Sequence, residues 1–408
     1  ARNADRDIMG ICLHHICVDG LSSEILLREL CTVYGQIEAD QQPQLPPIEF
    51  TYSDYVAWHQ KLMSQSRIAE ESRFWLEKLR NYENLQLIPE TGRPMQLSGK
   101  GASQTCELPD SLSTQIQHFC EKTGITAFTL LMSSVHLLLR RYTSQQDFCI
   151  GFPVANRPLP ELHNMVGLFV NILPFHVSKN VDKMGVEDFL MFIQQELLDA
   201  QTHQNLPFEK IVEVLSPERD LSRNPIFQVM VNLLQTQANF EFGTGELNVL
   251  PQEDNISRFD LSFDFIQEKE KITQFKLEYS TDLYSDTFAS QIVDTTLLLL
   301  GQIVHERCTQ IEELEIVTPA RLANLRAIND SARTRLNTDS VIDRFEQFAT
   351  TQPQQCAVRY AEYEISYAEL KAKSDAVAHS ITSCSCPHQP VIAVALNRGI
   401  DLVVALLG

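Results

Sequence analysis

The chain has 408 residues, of which 44% are apolar and 21% charged. That balance can fill a sizeable core, so whole-chain disorder is excluded, and at roughly 150 residues per domain two or three domains, or one with pieces of others, are expected. Lys and Arg number 33 against 53 Asp and Glu, a net charge of −20, which repels phosphate backbones and anionic lipid heads; neither nucleic acid nor a membrane surface is an expected partner.

In chain order, residues 7–15 read as a buried strand, ended by the turn chemistry of Asp19-Gly20. Ser22 and Ser23 then start a helix whose apolar positions Ile25, Leu26, Leu30, Val33 and Ile37 share one face. A Pro-rich break over 41–48 precedes helices at 52–62 and 69–79, and 89–101 is a turn-rich crossover. A short strand at 105–108 leads to helices at 111–123 and 127–142. Strands follow at 148–154 and 170–176, with a loop at 156–161 between them. Helices at 186–200 and 207–215 precede strands at 227–234, 261–267 and 273–279, and a long apolar helix covers 286–305. This intermixing predicts an α/β layered architecture. Residues 318–338 are polar, alternate in charge and read as a connector. Beyond them come a helix at 341–350, a strand pair at 357–360 and 364–367, a helix at 368–381, a strand at 391–396 and a further helix from 399, the opening of a βαβ unit.

The ten cysteines lie mostly in apolar stretches such as Ile11-Cys12-Leu13 and Phe148-Cys149-Ile150, where a free thiol behaves as a small buried hydrophobe. No secretory signal or regular disulfide spacing is visible, so a reduced cytoplasmic protein is expected. Cys384-Ser385-Cys386-Pro387-His388 offers three soft ligands without a fourth and reads as a surface loop. The apolar stretches at 128–139 and 297–304 fall short of the ~20 residues of a membrane span. The first residue is Ala1, and the chain stops within an apolar run at Gly408; a segment of a longer protein is expected.

The sharpest motif is His14-His15-Ile16-Cys17-Val18-Asp19-Gly20. It sets a titratable imidazole at a strand–turn–helix junction, where a ring with a pKa near 6.5 can accept a proton. Asp19 can brace the turn or pair with a distant arginine, and Gly20 permits a tight reversal. The bare spacing leaves a structural histidine pair equally open. Cys17, between apolar neighbours with no cation in view, reads as packing rather than a nucleophile. His136 lies on an apolar helix face and reads as core; His163 and His203 read as loop-shaping.

Taken with later segments, the motif resembles the signature of condensation domains of nonribosomal peptide synthetases, within the chloramphenicol-acetyltransferase-like superfamily. Those segments are Tyr52-Ser-Asp-Tyr-Val-Ala-Trp58, Ile150-Gly-Phe-Pro-Val-Ala-Asn-Arg157, Met165-Val-Gly-Leu-Phe-Val-Asn-Ile-Leu-Pro174, His203-Gln-Asn-Leu-Pro-Phe-Glu-Lys210 and Arg219-Asp-Leu-Ser-Arg-Asn-Pro-Ile-Phe-Gln-Val-Met-Val-Asn232. They stand in the family's order over roughly residues 1–315. Ile365-Ser-Tyr-Ala-Glu-Leu370, Ser374-Asp-Ala-Val-Ala378, Val391-Ile-Ala-Val-Ala-Leu396 and Leu402-Val-Val-Ala-Leu-Leu407 resemble the opening of an adenylation (AMP-binding) domain.

The resemblance implies a two-lobed α/β condensation fold. Residues 1–90 would end an N-terminal lobe that is mostly missing, and 91–315 would form the C-terminal lobe. Residues 316–338 would be a linker and 339–408 an incomplete adenylation domain. The implied reaction joins a carrier-bound acyl or peptidyl thioester to the amine of an aminoacyl thioester. His15 corresponds to the catalytic histidine, as general base or as positioner of the amine, with His14 and Gly20 beside it. Asp19 corresponds to a structural aspartate paired with Arg157 rather than to a second base. Asn232 is either a hydrogen-bond donor near the channel or a strand-end cap. The implied partners are upstream and downstream carrier domains, which deliver 4′-phosphopantetheine thioesters, and the adjoining adenylation domain. No cofactor or metal is expected on the condensation domain itself. ATP and Mg would serve only a complete adenylation domain, whose phosphate loop this chain does not contain, and Gly99-Lys100 is no Walker loop. The alternatives are an epimerisation domain, another acyltransferase of the superfamily, and a non-catalytic fragment as isolated.

Overall fold

The computed structural model describes residues 2–3, 6–89, 92–218, 220–235, 239–250, 255–305, 310–329, 340–383 and 391–408. The Cys384–His388 cluster, Cys308, Arg219 and the connector beyond residue 329 lie outside the described residues. The chain divides into two compact units, Ala1–Leu322 and Ala323–Gly408.

In the first unit, β1 (Arg2–Asn3) and β2 (Arg6–Asp7) form a minimal ladder, followed by α1 (Gly20–Glu38), α2 (Tyr52–Leu62) and α3 (Gln65–Lys78). Then come β3 (Gly101–Glu107), α4 (Asp110–Thr123), α5 (Ala127–Thr143), β4 (Cys149–Val154) and β5 (Asn171–His176). The unit continues with α6 (Val186–Thr202), α7 (Phe208–Leu215), β6 (Phe227–Gln235), β7 (Asn239–Phe242) and β8 (Gly245–Asn248). Last are β9 (Leu261–Glu268), β10 (Lys271–Ser280), α8 (Asp286–Val304) and α9 (Pro319–Asn329), which spans the boundary. Helix starts follow local chemistry. Thr51 and Asp54 form a reciprocal capping box at α2, and Ser64, Thr126 and Ser285 accept backbone N–H groups at α3, α5 and α8.

Six strands form one sheet in the order β3-β10-β9-β6-β4-β5. β6 is parallel to both β4 and β9, and the other pairs are antiparallel. Alternation divides the sheet into two faces. Val229, Val231, Phe263, Phe265, Phe275, Leu277 and Tyr279 are buried on one, with α4, α5 and α8 among the packing helices. The register puts Asn232, Ser262, Asp264, Lys276 and Glu278 together on the other. α8 is long and apolar enough to cross a membrane by length and composition, contrary to the expectation for its region, yet Ile292, Thr296, Leu299 and Leu300 are buried in the core.

The second unit holds α10 (Val341–Thr351), β11 (Cys356–Tyr360), β12 (Tyr363–Ser366), α11 (Tyr367–Ser383) and α12 (Ile400–Leu407). Ile365, Leu370 and Val404 form its core, with Phe345, Val358 and Val377 against them.

Several expectations are corrected. Residues 8–14 form no strand, and Ile8, Met9, Ile11 and Leu13 are exposed, as are Cys12 and Cys17. A strand persists only with a ladder partner, and none lies beside this segment among the described residues. Cys17 is therefore not packed, whatever its apolar neighbours imply. Residues 391–396 fail as a strand for the same reason, with Val391 fully exposed. The polar stretch from 318 contains α9, and the β7–β8 hairpin has no counterpart among the strands expected from periodicity.

Candidate active site

The two histidines sit on a tight turn ahead of α1. The Cys17 N–H donates to His14 O at 2.9 Å and the Val18 N–H to His15 O at 3.3 Å. The Ile16 N–H donates to His14 Nδ1 at 3.1 Å, which ties that ring to its own turn. Both rings are exposed, and among the described residues no side chain hydrogen-bonds the His15 imidazole. His15 is thus free to meet a substrate, whereas His14 is committed to the turn.

Asp19, not the serines, caps α1. Its Oδ1 accepts the Ser22 N–H at 2.8 Å and the Ser22 hydroxyl at 2.6 Å. Gly20 is the first helical residue and needs no left-handed backbone, so it is not the reversal point expected of it. Asp19 and Arg157, 138 residues apart, form a buried pair at 3.0 Å, with side chains 4% and 3% exposed. The Phe169 N–H donates to Asp19 Oδ2 at 3.0 Å. Burial alone would raise the Asp19 pKa; the Ser22 and Phe169 donors and the Arg157 guanidinium outweigh it and hold the carboxyl below the usual carboxylate range.

Arg157 also reads the main chain of the loop that follows it. One terminal nitrogen donates to the carbonyls of Leu162 and Met165, each at 2.6 Å, and the guanidinium lies 4.1 Å from the Phe169 ring centre. The Ser22 hydroxyl accepts the Gly167 N–H at 3.0 Å, closing the loop onto α1. The aromatic helix α2 covers this loop. Tyr52 donates to Leu168 O at 2.7 Å and meets Phe169 edge-on, while burial pushes the neighbouring Tyr55 up to about 12. An added Cβ on Gly167 would overlap the Tyr52 ring, so only glycine fits there.

Asn232 lies inside β6, not at its end, and its amide donates to the carboxylate of Asp264 across the parallel ladder. It belongs to the polar sheet face, and no described contact joins it to the histidine turn. His136 is buried among Phe148, Phe175 and Phe189, and desolvation holds its pKa down at about 3. His163 is exposed. His203 stacks on Phe74 at 3.6 Å and bonds the buried Glu71 at 2.6 Å, joining α3 to the end of α6. Among the described residues no group of three His, Cys, Asp or Glu is placed to hold a metal.

Sequence reasoning alone does not single out Ser22, Gly167, Phe169 and the loop carbonyls as site residues. The Met165-Val-Gly-Leu-Phe169 segment is the signal that contains three of them.

The family model described as "Condensation domain" matches residues 1–325. Tyrocidine synthase 3 of Brevibacillus parabrevis is 29% identical over 407 residues, covering 99% of this chain but 6% of that protein. Malpinin synthetase of Mortierella alpina is 28% identical over 407 residues, covering 99% and 5%. The chain therefore spans about one-twentieth of the length of these two curated relatives. Among solved structures, holo-AB3403, a four-domain nonribosomal peptide synthetase bound to AMP and glycine, superposes with a TM-score of 0.71 at 23% identity over 92% of this chain and 29% of that one. The X-domain from teicoplanin biosynthesis, in complex with OxyB, gives 0.64 at 23% over 75% and 69%.

Proposed function

The chain belongs to the condensation-domain family, and from that premise we propose that it forms an amide bond between a carrier-bound acyl or peptidyl thioester and the amine of an aminoacyl thioester. The observation that carries this reading is the exposed His15 ring on a turn whose base is immobilised by the buried Asp19–Arg157 pair. A thioester is already activated, so the protein's task is positioning and proton handling. The amine nitrogen attacks the thioester carbonyl, the tetrahedral oxyanion collapses, and the pantetheine thiol departs with the proton the amine has lost. His15 receives that proton or holds the amine for attack; Asp19 and Arg157 support the turn.

The exposed apolar residues Ile8, Met9, Ile11 and Leu13, in a segment patterned as a strand, support the reading that further strands of an N-terminal lobe complete the fold here. The second unit supports an adenylation-domain opening at 339–408 through its strand pair and following helix. Residues 339–408 contain no phosphate-binding glycine loop. Carrier domains bearing 4′-phosphopantetheine are the proposed partners. A cytoplasmic setting is supported by the free thiols of Cys12, Cys17, Cys31, Cys106, Cys120, Cys149 and Cys356.

The test is peptide formation from loaded donor and acceptor carriers by the intact module. His15→Ala is expected to lower the rate by at least about 10²-fold. Undiminished product would remove His15 from the chemistry, and solvent deuterium at Cα without peptide would replace condensation by epimerisation.

A further inference from the structure

We infer that the β7–β8 hairpin is a splint for the histidine turn and that Glu38 and Thr244 are positioning residues for His15. This rests on the condensation reading only for its catalytic consequence. α1 is 19 residues long, roughly 28 Å at 1.5 Å per residue, and carries the turn at its N-terminal end. Only Ser22, Ile25 and Cys31 of this helix are buried, and the hairpin is its principal secondary-structure neighbour. Its N-terminus is pinned by the Asp19–Arg157 pair. A rigid rod held at one end still swings, so a second support is needed to fix its tilt.

The hairpin supplies that support near the far end of α1. Tyr34 stacks on Phe242 with ring centres 3.9 Å apart and planes 14° off parallel. The Glu38 carboxylate accepts the Thr244 N–H at 2.6 Å and the Thr244 hydroxyl at 3.0 Å, one on each oxygen. Gly243, in the turn, has φ +60°, and a Cβ there would overlap Glu38 Oε2. The glycine thus provides both the hairpin turn and room for the carboxylate.

The hairpin pairs with no strand of the main sheet. It belongs to the crossover that carries the chain from the end of β6 back to the start of the parallel strand β9. At its end the crossover touches the polar sheet face: the Arg258 backbone bonds Glu278, which shares the face with Asn232. One connection therefore links the strand bearing Asn232 to the helix bearing the histidine turn.

Hydrogen–deuterium exchange on the full chain tests this. Glu38→Ala, at an exposed site, is expected to speed exchange across 14–23 about tenfold while β9 and β10 stay protected; Glu38→Gln, which keeps an acceptor for the Thr244 N–H, restores protection. Gly243→Ala should repeat the effect, and the double variant Glu38→Ala/Gly243→Ala should be no worse than either single one. Faster exchange confined to the hairpin, with 14–23 unchanged, overturns the inference. In the intact module, Glu38→Ala should lower kcat with KM for the loaded carriers unchanged. A wild-type module that makes no peptide would defeat the condensation reading alone, leaving the exchange result to decide this one.

Discussion

The buried Asp19–Arg157 pair gives the most exacting prediction. Asp19→Asn is nearly isosteric and can keep an acceptor for the Ser22 or Phe169 N–H, but it leaves the Arg157 guanidinium, 3% exposed, without a counter-charge. Breaking one side of such a pair costs about 3–5 kcal/mol. Arg157→Met removes the charge and the two donations to Leu162 and Met165, which contribute about 1 kcal/mol each, and leaves Asp19 with its Ser22 and Phe169 donors. The double variant Asp19→Asn/Arg157→Met contains no unpaired charge, so it should be more stable than the sum of the singles predicts by about 1–3 kcal/mol. The assay is urea unfolding followed by tryptophan fluorescence. The two tryptophans, Trp58 and Trp75, both lie in the first unit, so the signal reports that unit. The midpoint should fall with the slope unchanged. Additivity within about 0.5 kcal/mol would refute the view that the pair is a coupled clamp.

Two further substitutions follow from the packing. His136 has a depressed folded pKa of about 3, so between pH 6.5 and 3 the unfolded chain binds a proton that the folded chain does not. Stability present above pH 6.5 should therefore fall on acidification by about 1.4 kcal/mol per pH unit, roughly 2 kcal/mol at pH 5. His136→Leu should remove that part of the slope, and identical pH dependence of wild type and variant would refute it. Gly167→Ala should displace the Tyr52 ring and destabilise the first unit by about 1–3 kcal/mol, partly restored by Tyr52→Leu; thermal unfolding of both variants checks it.

Local order is legible where local chemistry decides it. The Thr51–Asp54 box starts α2 at Tyr52, the residue at which the sequence reading also begins that helix. The pairing of residues 19 and 157 is not written in spacing or propensity; it enters only through the resemblance of two separate motifs. Ser22 reads as a helix start, yet its hydroxyl serves a contact 145 residues away. The hairpin at 239–248 is absent from the strands expected above, although Asn239-Phe240-Glu241-Phe242 alternates polar and apolar and Gly243-Thr244-Gly245 carries turn chemistry. Residues 8–14 show the converse failure. Their pattern is that of a strand, and among the described residues no neighbouring strand offers them a ladder.

Arg157 grips its loop through the carbonyls of Leu162 and Met165, and Asp19 grips it through the Phe169 N–H. Every chain of L-residues offers those carbonyls, whatever its side chains. Gly167 apart, the clamp thus enforces the loop's length rather than its lettering. An exposed position such as His163 can change identity while the spacing from Arg157 to Phe169 stays fixed, and one inserted residue would put the carbonyls out of step with the guanidinium. The support beneath the histidine turn is therefore more sensitive to insertion than to most substitutions.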